Sequence, residues 1–386
     1  MASHMTEAES ILSPRLRELA ASRDWETFWA EIAEAGTPLI EPNGDDPETR
    51  LVTFVWRETE PLENIVLAEW YSPGEPVDKL MTRLGDSDCW YRTLVMRSDL
   101  RGTYLFMLND SLKPVRTDPN LGERMASMQR DPLNPKRVMP EAMHDRPSLT
   151  WVDGSVFELP DASPMPGHTL PADVPHGTVI ERTFTSELLG NERTIWIYTP
   201  ADFTGDDYPL LIQFDGEVCR DLHDVPGLLD AMIAGGEIPP MVAVMVSSVD
   251  RGAELPCNQA FADALADELI PLMRAEYRAS ADPAKVIAAG QSYGGLAAAW
   301  VALRRPEAIG NAYCQSGSFW WLPAENPLAP MPALGMAPEY GWLPRQVAQW
   351  PVAPVRFYME AGLLEAGNEG VMPSLLSEHR HMSDVL

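Results

Sequence analysis

The stretch VIAAGQSYGGLAAAWVAL, residues 286–303, decides how the second half of the chain is read. It begins as a short apolar run of strand character and ends as an alanine-rich helical pattern. Between them, Gly290-Gln291-Ser292-Tyr293-Gly294 matches G-x-S-x-G, the serine elbow of a strand-to-helix turn. So tight a turn calls for glycine on its flanks, where side chains would collide with neighbouring strands. Ser292 is then expected in a strained backbone conformation that lifts its hydroxyl above the sheet. The helix starts at the serine, so its first amides, Tyr293 N–H foremost, point at an oxyanion. The bland alternative is an ordinary glycine-rich turn; the strand before and helix after favour a nucleophile.

Working outward, strand-like segments recur at 194–198 (TIWIY), 209–214 (PLLIQF), 241–247 (MVAVMVS), 285–289 (KVIAA), 311–315 (NAYCQ) and 355–359 (VRFYM). Helical patterns fall at roughly 226–234, 258–276 and 295–304. Continuous apolar strands alternating with helices imply a mostly parallel sheet covered on both faces. Residues 175–386 are therefore expected to form an α/β-hydrolase domain. The run QFDGEVC follows the strand at 209–214, and there Gly216 and Glu217 can offer a second set of oxyanion amides.

The first half has a different texture. Leu16, Leu19, Trp25, Phe28, Trp29 and Ile32 recur at helical spacing, and Gly36 is a stop signal. RLVTFVWRET, NIVLAEWYS, CWYRTLVMRS and RGTYLFMLND are short β-branched or aromatic segments split by Pro, Gly and Asp. They predict an antiparallel, sandwich-like β domain over residues 6–160. Asp118 to Pro175 is proline-rich without periodicity and reads as a linker wrapping between the domains.

Composition narrows the function. The chain has 386 residues, 29 Lys and Arg against 57 Asp and Glu, and a net charge of −28. That balance argues against nucleic-acid or anionic-membrane partners. An anionic substrate would need arginines clustered locally against the field. The four cysteines are scattered and form no CxxC, which fits free thiols in a cytoplasmic protein rather than a metal site. The opening MASHM has the look of a vector-derived scar, and neither a secretory signal nor a membrane span is visible.

The runs NERTIWIYTP, FDGE, RGAELPCN, GQSYGGLAAAW and CQSGSFWW together resemble the enterochelin (enterobactin) esterases. The first half resembles that family's N-terminal domain through DSDCWYRTLVMRSDLRGTYLFMLND, DPLNP and FELPDASPMPG. The likeness runs from about residue 50 to the end. It implies a cytoplasmic enzyme without a catalytic metal that hydrolyses the trilactone esters of a ferric catecholate siderophore. Iron enters only as part of that substrate. The ferric complex is anionic, and Arg251, after the strand at 241–247, matches the arginine-bearing family loop that faces the catecholates. Trp320 and Trp321 follow the strand at 311–315 and are placed either to stack on catechol rings or to fill the core. Ser316 and Ser318 lie near the same sheet edge but lack an elbow. The resemblance puts the triad acid on Glu365, three residues after Gly362, with Glu360 as runner-up.

The sequence departs from the family pattern at the histidine. The family places it one strand beyond the acid, in a loop of Gly-Gly-His-Asp type, and no such loop precedes Leu386. The expectation is that the base lies beyond Leu386. His379, His381 and His223 are weaker candidates, since the first two fall in a helical pattern and the third follows an early strand. Two other functions remain open: an α/β-hydrolase for feruloyl or acyl-sugar esters, and a siderophore-binding protein without turnover.

Overall fold

The computed structural model describes residues 11–69, 74–114, 118–139, 153–164, 174–323, 341–365 and 374–386. His4, His144, His168, Trp70-Tyr71-Ser72 and parts of the proline-rich stretch lie outside them. The chain divides into two compact units, Met1–Pro164 and Met165–Leu386.

The first unit begins with two helices, where the sequence pattern suggested one. Helix α1 (Pro14–Ser22) ends at Arg23 in the left-handed region (φ 57°), and α2 (Trp25–Ala35) restarts with Asp24 capping Thr27 N–H. One antiparallel sheet has the order β1 (Leu39–Asn43), β2 (Asp46–Arg57), β5 (Cys89–Arg97), β4 (Thr82–Arg83). A second has the order β3 (Ile65–Ala68), β6 (Arg101–Leu108), β7 (Ser155–Glu158). Val52, Phe54 and Trp90 from one sheet share a core with Ile65, Leu67, Tyr104, Phe106 and Phe157 from the other, which makes this a sandwich. The helices cover the remaining face of the four-stranded sheet through Leu16, Leu19, Phe28, Trp29 and Ile32 against Val55 and Cys89.

The proline-rich stretch is not simply a linker. Its residues Ser155–Glu158 form β7, and Asp131 and Asn134 of DPLNP are buried. Asp131 accepts hydrogen bonds from Thr37 Oγ1 (2.6 Å) and Tyr104 OH (2.8 Å), and Asn134 donates to Tyr104 OH (3.0 Å). A satisfied polar network of this kind orders chain that has no apolar period. Burial raises the pKa of Asp131, and its three hydrogen bonds oppose that shift.

In the second unit the sheet order is β14 (Arg356–Glu360), β13 (Asn311–Gln315), β12 (Val286–Gln291), β10 (Leu210–Phe214), β11 (Val242–Val246), β9 (Asn191–Thr199), β8 (Thr178–Ser186). The first five are parallel, and an antiparallel hairpin, β8–β9, closes the other side. Strand β11 is buried at every position, as expected of a strand covered on both faces. The helical pattern at 258–276 resolves into α-helix Gln259–Ala264, a π turn at Leu265–Leu269, and α-helix Ile270–Tyr277. Pro271 lacks an N–H, and the wider turn just before it accommodates that gap in the ladder. No helix among the described residues is long and apolar enough to cross a membrane.

Candidate active site

Strand β12 ends at Gln291, and helix α3 (Tyr293–Arg304) begins two residues later. Ser292 between them has φ 58° and ψ −119°, a conformation rare for a residue with a side chain. The glycines around it differ in why they are needed. A Cβ on Gly290 would sit 2.5 Å from the carbonyl carbon of Gly294, and one on Gly295 would sit 2.9 Å from Gly317 Cα. On Gly294 the nearest atoms would be 3.4 Å away, an ordinary contact. The crowding at Gly290 therefore comes from the turn's own backbone rather than from neighbouring strands, and Gly295 is the position pressed by the next strand's loop.

A second helix start faces the same edge. Asp215, at the end of β10, is left-handed (φ 56°), and a short helix, Gly216–Asp221, follows. A Cβ on Gly216 would lie 2.8 Å from the Met245 carbonyl carbon of β11, so only glycine lets this turn pack there. Asp215 and Ser292 are both N-cap residue types, yet neither side chain caps its helix. The Asp215 carboxylate is held by Arg251, and Ser292 Oγ meets Ser318 Oγ at 3.2 Å. The first-turn amides of both helices are thus left without a side-chain cap. Glu217, also named from the sequence, opens the same first turn, and burial pushes its carboxyl up.

Arg251 is not a bare cation. Its Nε and Nη2 donate to the two Asp215 oxygens at 2.7 and 2.8 Å, a bidentate pair. Its guanidinium lies 5.5 Å from the Tyr293 ring centre, and Tyr293 packs against Trp320 with centres 6.0 Å apart. Arg251, Tyr293 and Trp320 form a row beside Ser292. Trp321 instead meets Trp342 edge-on at 5.9 Å and packs, partly buried, onto the main core. The loop carrying Arg251 is anchored by Glu254, which binds Arg193 of β9 through both oxygens (2.8 and 2.9 Å) and accepts Val249 N–H (3.1 Å). Both side chains of this ion pair are buried.

Three consecutive residues after β13 each engage a different group. Ser316 Oγ donates to Glu365 Oε2 (2.7 Å), Gly317 N–H donates to His379 Nε2 (3.0 Å), and Ser318 N–H donates to Ser292 C=O (3.0 Å). Glu365 Oε2 also accepts Gly362 N–H (2.7 Å). Glu360 points along the sheet instead, accepting from Tyr313 OH and Gln315 Nε2. Of the two carboxylates, Glu365 is the one tied to the loop that contacts Ser292.

His379 sits in the helix Leu375–Val385 with Nδ1 2.9 Å from Leu375 C=O. Nε2 accepts from Gly317, so Nδ1 carries the proton and the ring is neutral. Burial lowers its pKa, against opposing contributions from the Leu375 carbonyl and the Glu365 charge. His381 and His223 are exposed. Among the described residues no histidine nitrogen bonds Ser292 Oγ. Nor are any three His, Cys, Asp or Glu side chains there grouped to hold a metal ion.

A pH dependence follows from His379. Below the ordinary imidazole value of 6.5 the unfolded chain takes up a proton at this position that the folded chain resists. Stability from this group is present above that value and is lost as pH falls toward the lower folded value. We expect the melting temperature to rise between about pH 5.5 and 7.5 less steeply in His379→Gln, whose amide can replace both bonds. Equal slopes in the two proteins would show that His379 does not contribute.

Asp215 and the Arg193–Glu254 pair emerged only from the structure, as did the partners of Ser316 and Ser318, which the sequence placed at the sheet edge without a role. Each lies in a run that carries the family resemblance, which was the one signal pointing to them.

A family profile described as enterochelin esterase, N-terminal, matches residues 51–167, and one described as putative esterase matches residues 186–350. The iron(III) enterobactin esterase of Dickeya dadantii is 32% identical over 324 residues, covering 77% of this chain and 72% of the relative. That of Yersinia enterocolitica is 31% identical over 344 residues, covering 80% and 90%. The crystal structure of the enterobactin esterase from Shigella flexneri, in the presence of enterobactin, matches with a TM-score of 0.71 at 26% identity, over 94% of this chain and 89% of that one. The ferric enterobactin esterase of Salmonella typhimurium gives 0.73 at 25% identity, over 94% and 90%. With both halves matched and the elbow, the two uncapped helix starts and the Arg251 loop in place, the chain belongs to the enterobactin esterase family.

Proposed function

We propose that this protein is a serine esterase that cuts the ester bonds of a ferric catecholate siderophore of the enterobactin type. The observation that carries the reading is Ser292 at φ 58°, between the uncapped amides that open at Tyr293 and Gly216. Ser292 Oγ adds to the ester carbonyl carbon as its proton passes to an imidazole. The carbonyl oxygen becomes an oxyanion and receives the Tyr293 and Gly216 N–H groups. The carbon–alkoxide bond then breaks, the alkoxide takes the proton, and water repeats the sequence on the acyl-enzyme. Glu365 is the acid assigned to orient the imidazole. Among the described residues both its hydrogen bonds fall on Oε2, which leaves Oε1 to accept an imidazole N–H. His379 has both ring nitrogens committed and is not placed to act as that base.

Substrate selection rests on the Arg251–Tyr293–Trp320 row, which offers a cation and aromatic faces to anionic catecholate rings. The proposal locates the reaction in the cytoplasm, where it would free the iron. Because Asp215 already neutralises part of the Arg251 charge, Arg251→Ala should weaken binding of a ferric catecholate by about 10-fold, the low end for a charge-assisted hydrogen bond. Hydrolysis of a small neutral aryl ester should change far less. Fluorescence quenching by the ferric ligand and aryl-ester kinetics on the same preparations give both numbers. Equal losses on the two substrates would assign Arg251 to structure alone.

A further inference from the structure

We propose that Ser318 is a positioning residue for the nucleophile, holding the Ser292 hydroxyl in place and donating a hydrogen bond to its oxygen. The inference rests on the reading of Ser292 as nucleophile. Three contacts bind the elbow residue to the end of β13 and the loop after it. Ser292 N–H donates to Gln315 C=O (3.0 Å), Ser318 N–H donates to Ser292 C=O (3.0 Å), and the two hydroxyl oxygens lie 3.2 Å apart. The backbone bonds set where the Ser318 hydroxyl stands, so its approach to Ser292 does not depend on a freely rotating side chain.

Ser318 is 1% exposed, so water does not reach its hydroxyl, and among the described residues Ser292 Oγ is its hydrogen-bond partner. A buried hydroxyl keeps such a partner because leaving it unpaired is costly. A serine that must release its proton to an imidazole cannot also spend that proton on Ser318. In the reactive arrangement Ser318 is therefore the donor and Ser292 Oγ the acceptor. The contact is long for two hydroxyls and has room to shorten as negative charge grows on Ser292 Oγ during attack. Once Oγ becomes an ester oxygen it is a poorer acceptor, and the bond weakens again. The benefit falls on bond formation, so it should appear in kcat and in the rate of covalent labelling rather than in KM.

The loop's geometry supports a dedicated role. A Cβ on Gly295 would lie 2.9 Å from Gly317 Cα and one on Gly317 would lie 3.4 Å from the Gly295 carbonyl carbon, so the loop is pressed directly onto the elbow helix. Ser316 and Gly317 meanwhile hold Glu365 and His379.

The test is the rate of phosphonylation by an aryl organophosphonate in the protein, with the label mapped by mass spectrometry, beside steady-state kinetics on an aryl ester. Ser318→Ala should label Ser292 about 10- to 100-fold more slowly, with KM within about twofold, the scale of a lost donor at a developing charge. Ser318→Cys, a weak donor of similar shape, should fall between Ala and wild type. Labelling of Ser318→Ala at the wild-type rate would overturn the inference. So would a folded Ser318→Cys no faster than Ser318→Ala. Ser292→Ala is the control for the underlying reading: an unchanged label there refutes the nucleophile assignment, whereas its loss beside normal labelling of Ser318→Ala refutes only the role of Ser318.

Discussion

Ser292→Ala should abolish covalent labelling by an organophosphonate and lower ester turnover by roughly 10⁴- to 10⁶-fold, the scale of losing a triad nucleophile. The residual rate would come from the Tyr293 and Gly216 amides and from substrate binding, which the substitution leaves in place. The fold should survive. The backbone bonds that fix the elbow, from Ser292 N–H to Gln315 and from Ser318 N–H to Ser292 C=O, do not involve the hydroxyl. Stability should fall modestly, because the buried Ser318 hydroxyl is left without Ser292 Oγ. Intact-mass spectrometry reads the label and circular dichroism reads the fold. A folded Ser292→Ala protein labelled at full stoichiometry would contradict the assignment.

Glu254→Ala should be the most destabilising of the substitutions considered, at about 3–5 kcal/mol, because it strands Arg193 as a buried cation. The Arg193 side chain is 1% exposed and its Nε has no partner among the described residues; Asn191 Oδ1, Ser247 C=O and the Phe261 ring would remain beside it, but no carboxylate would. In a domain of this size that corresponds to roughly 6–20 °C in melting temperature. The same change releases Val249 N–H from its acceptor, so the loop presenting Arg251 should loosen and binding of a ferric catecholate should weaken as well. Replacing both partners, Arg193→Met with Glu254→Leu, removes the stranded charge and should recover much of the stability but not the loop order. Thermal melts of the single and double variants decide it. A single variant melting within about 2 °C of wild type would contradict a stabilising role for the pair.

The catalytic half was legible because its signals are local. An apolar strand, a glycine-bracketed serine and an alanine-rich helix lie within one short stretch, and each declares its own geometry. What the sequence did not disclose are contacts between distant segments. Asp215 meets Arg251, Arg193 meets Glu254, and Ser292 meets Ser318 only once the sheet brings β9, β10, β11, β12 and β13 side by side. Strand β8 was missed for a different reason: its first four residues are exposed, so it carries no clear apolar alternation. The break between α1 and α2 turns on Arg23 in a left-handed conformation, which helical periodicity does not register. The ordered part of the proline-rich stretch is held by Asp131, Thr37 and Tyr104, a polar network that hydropathy scores as loop. For the site residues, the resemblance supplied Arg251 and Glu365, while the structure supplied their partners.

Hydrolysis of ferric enterobactin, followed by liquid chromatography and mass spectrometry beside a feruloyl ester, tests the central claim most directly. The protein should open the trilactone to linear and smaller catechoyl-serine products, with kcat/KM at least about 100-fold above the feruloyl ester, as expected when binding contacts away from the reacting carbonyl lower the barrier. Ser292→Ala should leave the trilactone intact. A preference for the feruloyl ester, or a trilactone that is bound but never opened by the wild-type protein, would contradict the account.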